Sequence, residues 1–350
     1  MARAAVKVLH VGLGPIGLGV ARLVVETDGL QVIGATDLAP DAAGKDLGQL
    51  LGLSRKLKVK VAGSPESFIR KTKADVAILC TSSSLKTVKP QVAALIQRGM
   101  NVVTTCEEMA YPAPENMAAF RELDKLARKK KVSVLSTGVN PGYAMDALAL
   151  MLTAPCARVS RVAVTRVVDA GTRRLPLQRK VGAGLNLSQF RRAITEGTVR
   201  HVGLVESVHM IAAGLGWKLD RVEETLDPAI APRDLDTDYL RIPAGAAAGI
   251  RQHARGWIKS EPVISLDLQM YVGAESPRDH ILVDGIPPID MTINGGVAGD
   301  IATAAIVVNA IPKVMAAPAG VLTMKDLPLV HHLNPAELKD LAGAKARRKA

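Results

Sequence analysis

Glu107 and Glu108 stand side by side at the end of a short β-branched run, Val102-Val103-Thr104-Thr105-Cys106. If that run is a parallel strand, its carboxyl end lies on the sheet edge where ligands bind. A glutamate in a partly dry cleft there has a raised pKa and exchanges a proton with ammonia, an amine or a carbinolamine near neutrality. The same pair also suits a helix N-terminus ahead of Pro112 and Pro114. The spacing leaves open which of the two side chains faces a reacting group. Cys106 has no histidine beside it in sequence and reads as a packing residue.

The opening of the chain supplies a phosphate cradle. Gly12-Leu13-Gly14-Pro15-Ile16-Gly17 follows a strand-like run and opens a helical pattern. In that context the first glycine makes the tight turn, the second lets a diphosphate approach the backbone, and the third lets helix and strand pack closely. Pro15 fits a first helical turn, where its missing amide hydrogen costs nothing. The free amides and helix dipole then face the diphosphate. Asp37 stands twenty residues beyond Gly17, at the end of the next apolar run. A carboxylate there accepts from both ribose hydroxyls and repels a 2′-phosphate. NAD is therefore the expected cofactor, with NADP open if Lys45, Arg55 or Lys56 folds in. Thr81, Ser82 and Ser83 follow the third strand-like run and are candidates to contact ribose or phosphate, or to cap the next helix.

The elements that must position these residues are short β-branched runs alternating with helical patterns over the first 140 residues, the signature of a parallel sheet with crossover helices. The pattern predicts strands over Val6 to Val11, Gln31 to Thr36, Asp75 to Cys80, Asn101 to Thr105 and Ser133 to Ser136. It predicts helices over Pro15 to Glu26, Lys86 to Arg98 and Pro114 to Lys129. After Gly142 longer alternating stretches appear, such as Val159 to Val168 and Val263 to Val272, typical of an antiparallel or mixed sheet. Helical patterns lie around Leu187 to Glu196 and Val205 to Leu215, a Pro- and Asp-rich connection runs from Asp227 to Pro243, and a buried helix is expected over Gly299 to Met315. The expected chain is α/β: a Rossmann-type doubly wound parallel sheet over 1–142 and an α+β domain with an open mixed sheet over 143–300. A helical segment, 301–340, packs back toward the first domain, and a basic tail occupies 341–350.

The residues resemble a known family. GLGPIG at 12–17, TTCEEMAYP at 104–112, GVNPGYAMD at 138–146 and VTRVVDAGTRRLPLQRKVGAGL at 164–185 are similar to the dihydrodipicolinate-reductase-like superfamily. Within it they resemble 2,4-diaminopentanoate dehydrogenase and the related amine dehydrogenases. GDIATAAIVVNAIPKV at 299–314 and AAPAGVLTMKDLP at 316–328 extend the likeness over nearly the whole chain. The resemblance implies reductive amination of a ketone or aldehyde by ammonia at the expense of NAD(P)H, and its reverse. It implies a glutamate of the CEE segment as the acid/base group, with Glu108 favoured and Glu107 the alternative. It also implies Asn140, Pro141 and Tyr143 near nicotinamide and substrate, with Met145 shaping the pocket. Arg166, Gln178 and His209 are further substrate candidates from polar segments of the second domain, and Thr303 from the last apolar helix. Two departures narrow the chemistry. No KxDAPSGTA-like dicarboxylate segment is present, and two glutamates occupy the place where homoserine dehydrogenases carry a lysine. The competing expectations are an imine or semialdehyde reductase on the same fold, and an NAD(P)-sensing protein that does not use the glutamates.

Composition bounds the rest. The chain has 350 residues, 48% hydrophobic and 22% charged, enough for two cores packed mainly from aliphatic side chains. Cys80, Cys106 and Cys156 are far apart, so neither a disulfide framework nor a metal-ligand spacing arises, and a reducing cytoplasm is expected. No signal peptide and no uncharged apolar run of spanning length is read, so membrane insertion is not expected. The net charge of +12 suits an anionic ligand. Part of it lies in Lys129-Lys130-Lys131 and in the tail from Lys345 to Lys349, without interleaved aromatics, so nucleic acid is not an expected partner. The expected partners are a small amine or ketone, ammonia, and a second copy of the chain.

Overall fold

The computed structural model describes residues 5–338 and 341. The remainder of the basic tail lies outside the described residues. The chain divides into two compact units: residues up to Gly142 together with those from Ala298 onward, and Tyr143–Val297.

The first unit begins with six strands: β1 (Val6–Val11), β2 (Leu30–Thr36), β3 (Val61–Ala62), β4 (Val76–Leu79), β5 (Asn101–Thr104) and β6 (Ser133–Ser136). The second unit holds β7 (Arg158–Asp169), β8 (Arg221–Ile230), β9 (Leu235–Asp236), β10 (Arg241–Ile242), β11 (Ala247–Ile258), β12 (Glu261–Tyr271), β13 (Arg278–Ile286) and β14 (Ile289–Asn294). The chain then returns to the first unit for β15 (Gly320–Leu322).

The first sheet has the order β15-β6-β5-β4-β1-β2-β3, parallel throughout. Its central strands are apolar on both faces because helices cover both; all four residues of β4 are buried. Leu9, Val11, Leu79 and Val102 pack on one side, and Val6, Val8, Val20, Val24 and Ile78 on the other. The helix Gly299–Ala316 is long and apolar enough by composition to cross a membrane, with mean hydropathy 1.3. In the fold it buries Ala304, Val307, Val308, Ile311 and Val314 against the helix Pro15–Glu26 and the sheet. The sequence pattern omitted β3 and β15. Strands of two and three residues carry no periodicity, and β15 is defined by partners in β6 that lie far away in sequence.

The second sheet has the order β14-β13-β7-β12-β11-β8. Only β7 and β12 run parallel, so the sheet is mixed. The helices Leu187–Thr195 and Leu204–Gly214 bury Phe190, Leu204, Val208 and Ile211 in its core. The segment read as a connection from Asp227 to Pro243 is partly strand. Asp227 to Ile230 end β8, where Pro228 lies opposite Ile250. Proline is tolerated there because β8 is an edge strand with one side of its ladder unpaired.

Arg166 on β7 and Asp279 on β13 are direct cross-strand neighbours, 4% and 0% exposed. Nη1 of Arg166 donates to both carboxylate oxygens, at 2.5 and 2.6 Å, and Nη2 to the Val297 carbonyl at 2.6 Å. Asp279 also accepts the Val297 amide at 2.7 Å. The expectation that Arg166 contacts substrate is corrected: its charge is spent inside the sheet, tying the end of β13's neighbourhood to the last residue of the unit. Breaking one partner of such a buried pair leaves the other charge desolvated and uncompensated. Asp279→Ala should therefore cost about 3–5 kcal/mol, read as a lower denaturant midpoint, and the double replacement Arg166→Met with Asp279→Leu should recover most of it.

Candidate active site

The glycine turn owes its shape to close backbone contact. Gly12 has φ +91°, and a Cβ there would lie 2.5 Å from the Cys80 carbonyl oxygen. A Cβ on Gly17 would lie 2.1 Å from the Gly12 carbonyl oxygen, so strand and helix could not close. Gly14 differs, since a Cβ there meets nothing within 4 Å and the fold itself does not require glycine. Gly14 and Pro15 are exposed at the head of the helix, with Pro15 in its first turn and Ile16 packed partly against the core. The open space at Gly14 is what a diphosphate approaching the helix amides needs. Asp37 closes the turn from the end of β2: its carboxylate accepts from the Leu13 amide and from the Ala39 amide at 2.7 Å. A carboxylate has acceptor sites beyond those two, so ribose hydroxyls remain within its capacity.

Along the same carboxyl edge, Thr81 donates its hydroxyl to Gln91 at 2.7 Å, and the Ser82 hydroxyl accepts the Ser84 amide at 3.2 Å. The Ser83 carbonyl accepts the Glu108 amide at 3.2 Å and the Cys106 thiol at 3.1 Å. These residues therefore build the loop ahead of the helix Leu85–Gln97. Glu108 takes part in it: one carboxylate oxygen accepts the Leu85 amide at 2.8 Å, at the head of that helix. Both glutamates are half-buried in a single 3-10 turn, Glu107–Met109. Burial pushes the Cys80 thiol up to about 12, and the charge of Glu107 adds to the rise, which places that carboxylate near the end of β4. The Cys106 thiol is also pushed up, by burial and then by Glu107 and Glu108, so both cysteines stay protonated at neutrality and Cys106 packs as expected.

After β6 the chain turns through Asn140 and the buried Pro141. The Asn140 side-chain oxygen and nitrogen are both shielded from water and have no hydrogen-bond partner among the described residues. An orphaned amide at this edge suits a ligand carrying its own donor and acceptor, as the nicotinamide carboxamide does. Thr303 lies in the same unit, and its hydroxyl accepts the Val139 amide at 3.3 Å, so it braces this loop.

The sequence reading missed His10. It stands on β1 two residues before Gly12, fully buried, with both ring nitrogens lacking a hydrogen bond, and its Nε2 lies 3.4 Å from the Cβ position of Gly17. Burial lowers its pKa to about 4, against smaller raising effects from the Gly12 and Gly17 backbone and Asp37. The available signal was an imidazole in the otherwise apolar run Val8-Leu9-His10-Val11.

In the second unit, Met145 is fully buried in the core and Tyr143 packs partly against it. Gln178 is fully buried, and its amide donates to the Arg173 and Gly171 carbonyls at 2.8 and 3.3 Å while accepting the Thr237 hydroxyl at 3.0 Å. Like Arg166, it is committed to the fold, and its expected substrate contact is corrected. His209 is half-buried on the helix Leu204–Gly214.

A doubly wound sheet with this turn, its acidic partner and a carboxylate pair on the same edge defines a nicotinamide-dinucleotide dehydrogenase. Comparison with known proteins narrows the class. Residues 143–342 match the model of the 2,4-diaminopentanoate dehydrogenase C-terminal domain. The chain is 30% identical to 2,4-diaminopentanoate dehydrogenase of Acetoanaerobium sticklandii, over 98% of each chain. It is 22% identical to an amine dehydrogenase of Streptomyces virginiae, over 91% of this chain and 95% of that one. Its fold is similar to the solved amine dehydrogenase of Mycobacterium smegmatis, with a TM-score of 0.84 at 24% identity, covering 94% of this chain and 98% of the other. The chain belongs to the 2,4-diaminopentanoate dehydrogenase family.

Two outcomes follow from the turn. Gly14→Ala should fold normally by circular dichroism yet bind NADH about tenfold more weakly, because the methyl occupies diphosphate space, whereas Gly17→Ala should not give folded protein. Below its unfolded value of 6.5 His10 takes up a proton only in the unfolded chain, so stability should fall as pH drops from 6.5 toward about 4. In His10→Leu the decline over that window should be shallower in urea titrations.

Proposed function

We propose that the chain is an NAD(P)-dependent amine dehydrogenase, joining ammonia to a ketone or aldehyde to give a primary amine, and running the reverse reaction on an amine or on 2,4-diaminopentanoate. The observation that carries this reading is the carboxylate pair on the cofactor edge of the parallel sheet, with the two members in different environments. Family membership and the names of the relatives support it.

One carboxylate oxygen of Glu108 is engaged by the Leu85 amide at a helix head. It acts as the brace of the 3-10 turn. Glu107, beside the end of β4, is the proton-transfer group in this proposal, which reverses the preference drawn from the family likeness. As a carboxylate it takes a proton from ammonium so that free amine attacks the carbonyl. It returns the proton to the carbinolamine oxygen as water leaves, and its charge then stabilises the iminium. Nicotinamide supplies the hydride in this direction and receives it in the other. Gly12 to Gly17 and Asp37 hold the dinucleotide, and Asn140 receives the carboxamide. Asp37 favours NAD over NADP, because its charge opposes a 2′-phosphate. The proposal includes a cytoplasmic location, with all three cysteines unbridged, and a homodimer.

The test is oxidation of NADH and NADPH with small ketones and 2-amino-4-oxopentanoate, with and without ammonium. Turnover should require ammonium and be faster with NADH. Glu107→Gln should lower kcat by about 10²–10⁴, and Glu108→Gln, which keeps an acceptor for Leu85, should lose much less. Equal turnover without ammonium would sink the amine reading, and a larger loss in Glu108→Gln would exchange the two roles.

A further inference from the structure

The loop between β2 and β3 carries a concentration of positive charge that binding of NAD does not use. Lys45, Lys56, Lys58 and Lys60 surround a cleft of about 460 Å³ whose other lining residues are Gly44, Asp46 and Gln49. None of the four ammonium groups has an ion-pair or hydrogen-bond partner among the described residues. In the same unit Lys89 is paired with Glu122 and Arg128 with Asp124.

The single carboxylate in the cleft does not neutralise them. Asp46 accepts the Gly48 and Leu57 amides, both at 2.9 Å, and this use of its charge by the backbone holds its carboxyl below the usual range. Those bonds also make the loop a fixed frame. Leu47 donates its amide to Val59 at 2.8 Å, Val61 to Lys45 at 2.9 Å and Gly44 to Val61 at 2.8 Å, and Leu47 is fully buried. Leu57, Val59 and Val61 alternate inward while Lys56, Lys58 and Lys60 alternate outward onto one side. Lys58 holds a left-handed backbone, φ +58°, which lysine adopts only against local strain. Protection of a sheet edge, a common use of exposed lysines, does not account for the cluster, because the Gly44–Asp46 segment already pairs along β3 and its approach.

We infer that this cleft is a binding site for an oligophosphate, a linear anion of the di- or triphosphate class, distinct from the dinucleotide turn. Lysine ammoniums meet phosphate oxygens as point charges from several directions, which suits a flexible chain of phosphates. No aromatic side chain lines the cleft, so the charged groups recognise the phosphate chain and no base stacks there.

The experiment is calorimetric titration of the full chain, saturated with NADH, with sodium tripolyphosphate at low ionic strength. Three proteins are compared: the unaltered chain, Lys58→Gln with Lys60→Gln, and a charge-matched control, Lys129→Gln with Lys130→Gln, in the other lysine run. The expected result is one saturable site per chain, weakened about tenfold or more in the loop variant and unchanged in the control, with ammonium-dependent turnover unaffected in both. Equal weakening in both variants, or no saturation, would show only a solvated basic face and overturn the proposal. Tripolyphosphate raising the apparent Kd of NADPH in proportion to its concentration would assign the lysines to the cofactor's own phosphate and also overturn it. Because binding is read directly, the site can fail while the amine dehydrogenase reading stands, and the reverse.

Discussion

A diphosphate can be held by backbone amides only if the strand and the helix that present them close to within backbone contact. The distance between the Gly12 carbonyl and the Cα of Gly17 sets that closure, since a Cβ at Gly17 would lie 2.1 Å from the oxygen. The axis of the helix Pro15–Glu26 over β1 follows from it, and with it the packing of Val20 and Val24 on Val6 and Val8. Against the same helix lies Gly299–Ala316, an element whose composition would suit a membrane and whose apolar surface is instead used by this layer. Asp37 reinforces the closure by accepting the Leu13 amide, so a residue suited to reading ribose also shapes the turn.

Some buried polar groups are matched inside the fold and others are not. In the second unit Arg166, Asp279 and Gln178 are buried and hydrogen-bonded, so they fix strands and loops. In the first unit the His10 ring and the Asn140 amide have no partner among the described residues, and in the second neither does the Trp257 indole nitrogen. Unpaired buried polar groups are costly and uncommon in folded proteins. His10 and Asn140 are found in segments tied to the dinucleotide turn or to the loop after β6, on the sheet that carries the cofactor edge.

The CEE segment is held in place by one of its own glutamates. Glu108 is anchored through its backbone amide to Ser83 and through its carboxylate to Leu85, which fixes the 3-10 turn relative to the β4 edge.

The sequence alone determined the parallel strands β1, β2, β4, β5 and β6, the glycine turn with Asp37, and the placement of two glutamates at a sheet edge. Each rests on local periodicity or on a short-range steric demand, such as φ +91° at Gly12, that only a few residue types meet. Tertiary structure decided the rest. β3 and β15 exist only through strands remote in sequence, and Pro228 sits in a strand because β8 ended at an edge. Arg166 and Gln178 looked like ligand-binding residues because a polar side chain in a sequence carries no record of its partner. Asp279 lies more than a hundred residues from Arg166, and Thr237 nearly sixty from Gln178. Whether such a group is spent or available depends on non-local neighbours, and those are fixed only when the sheets form.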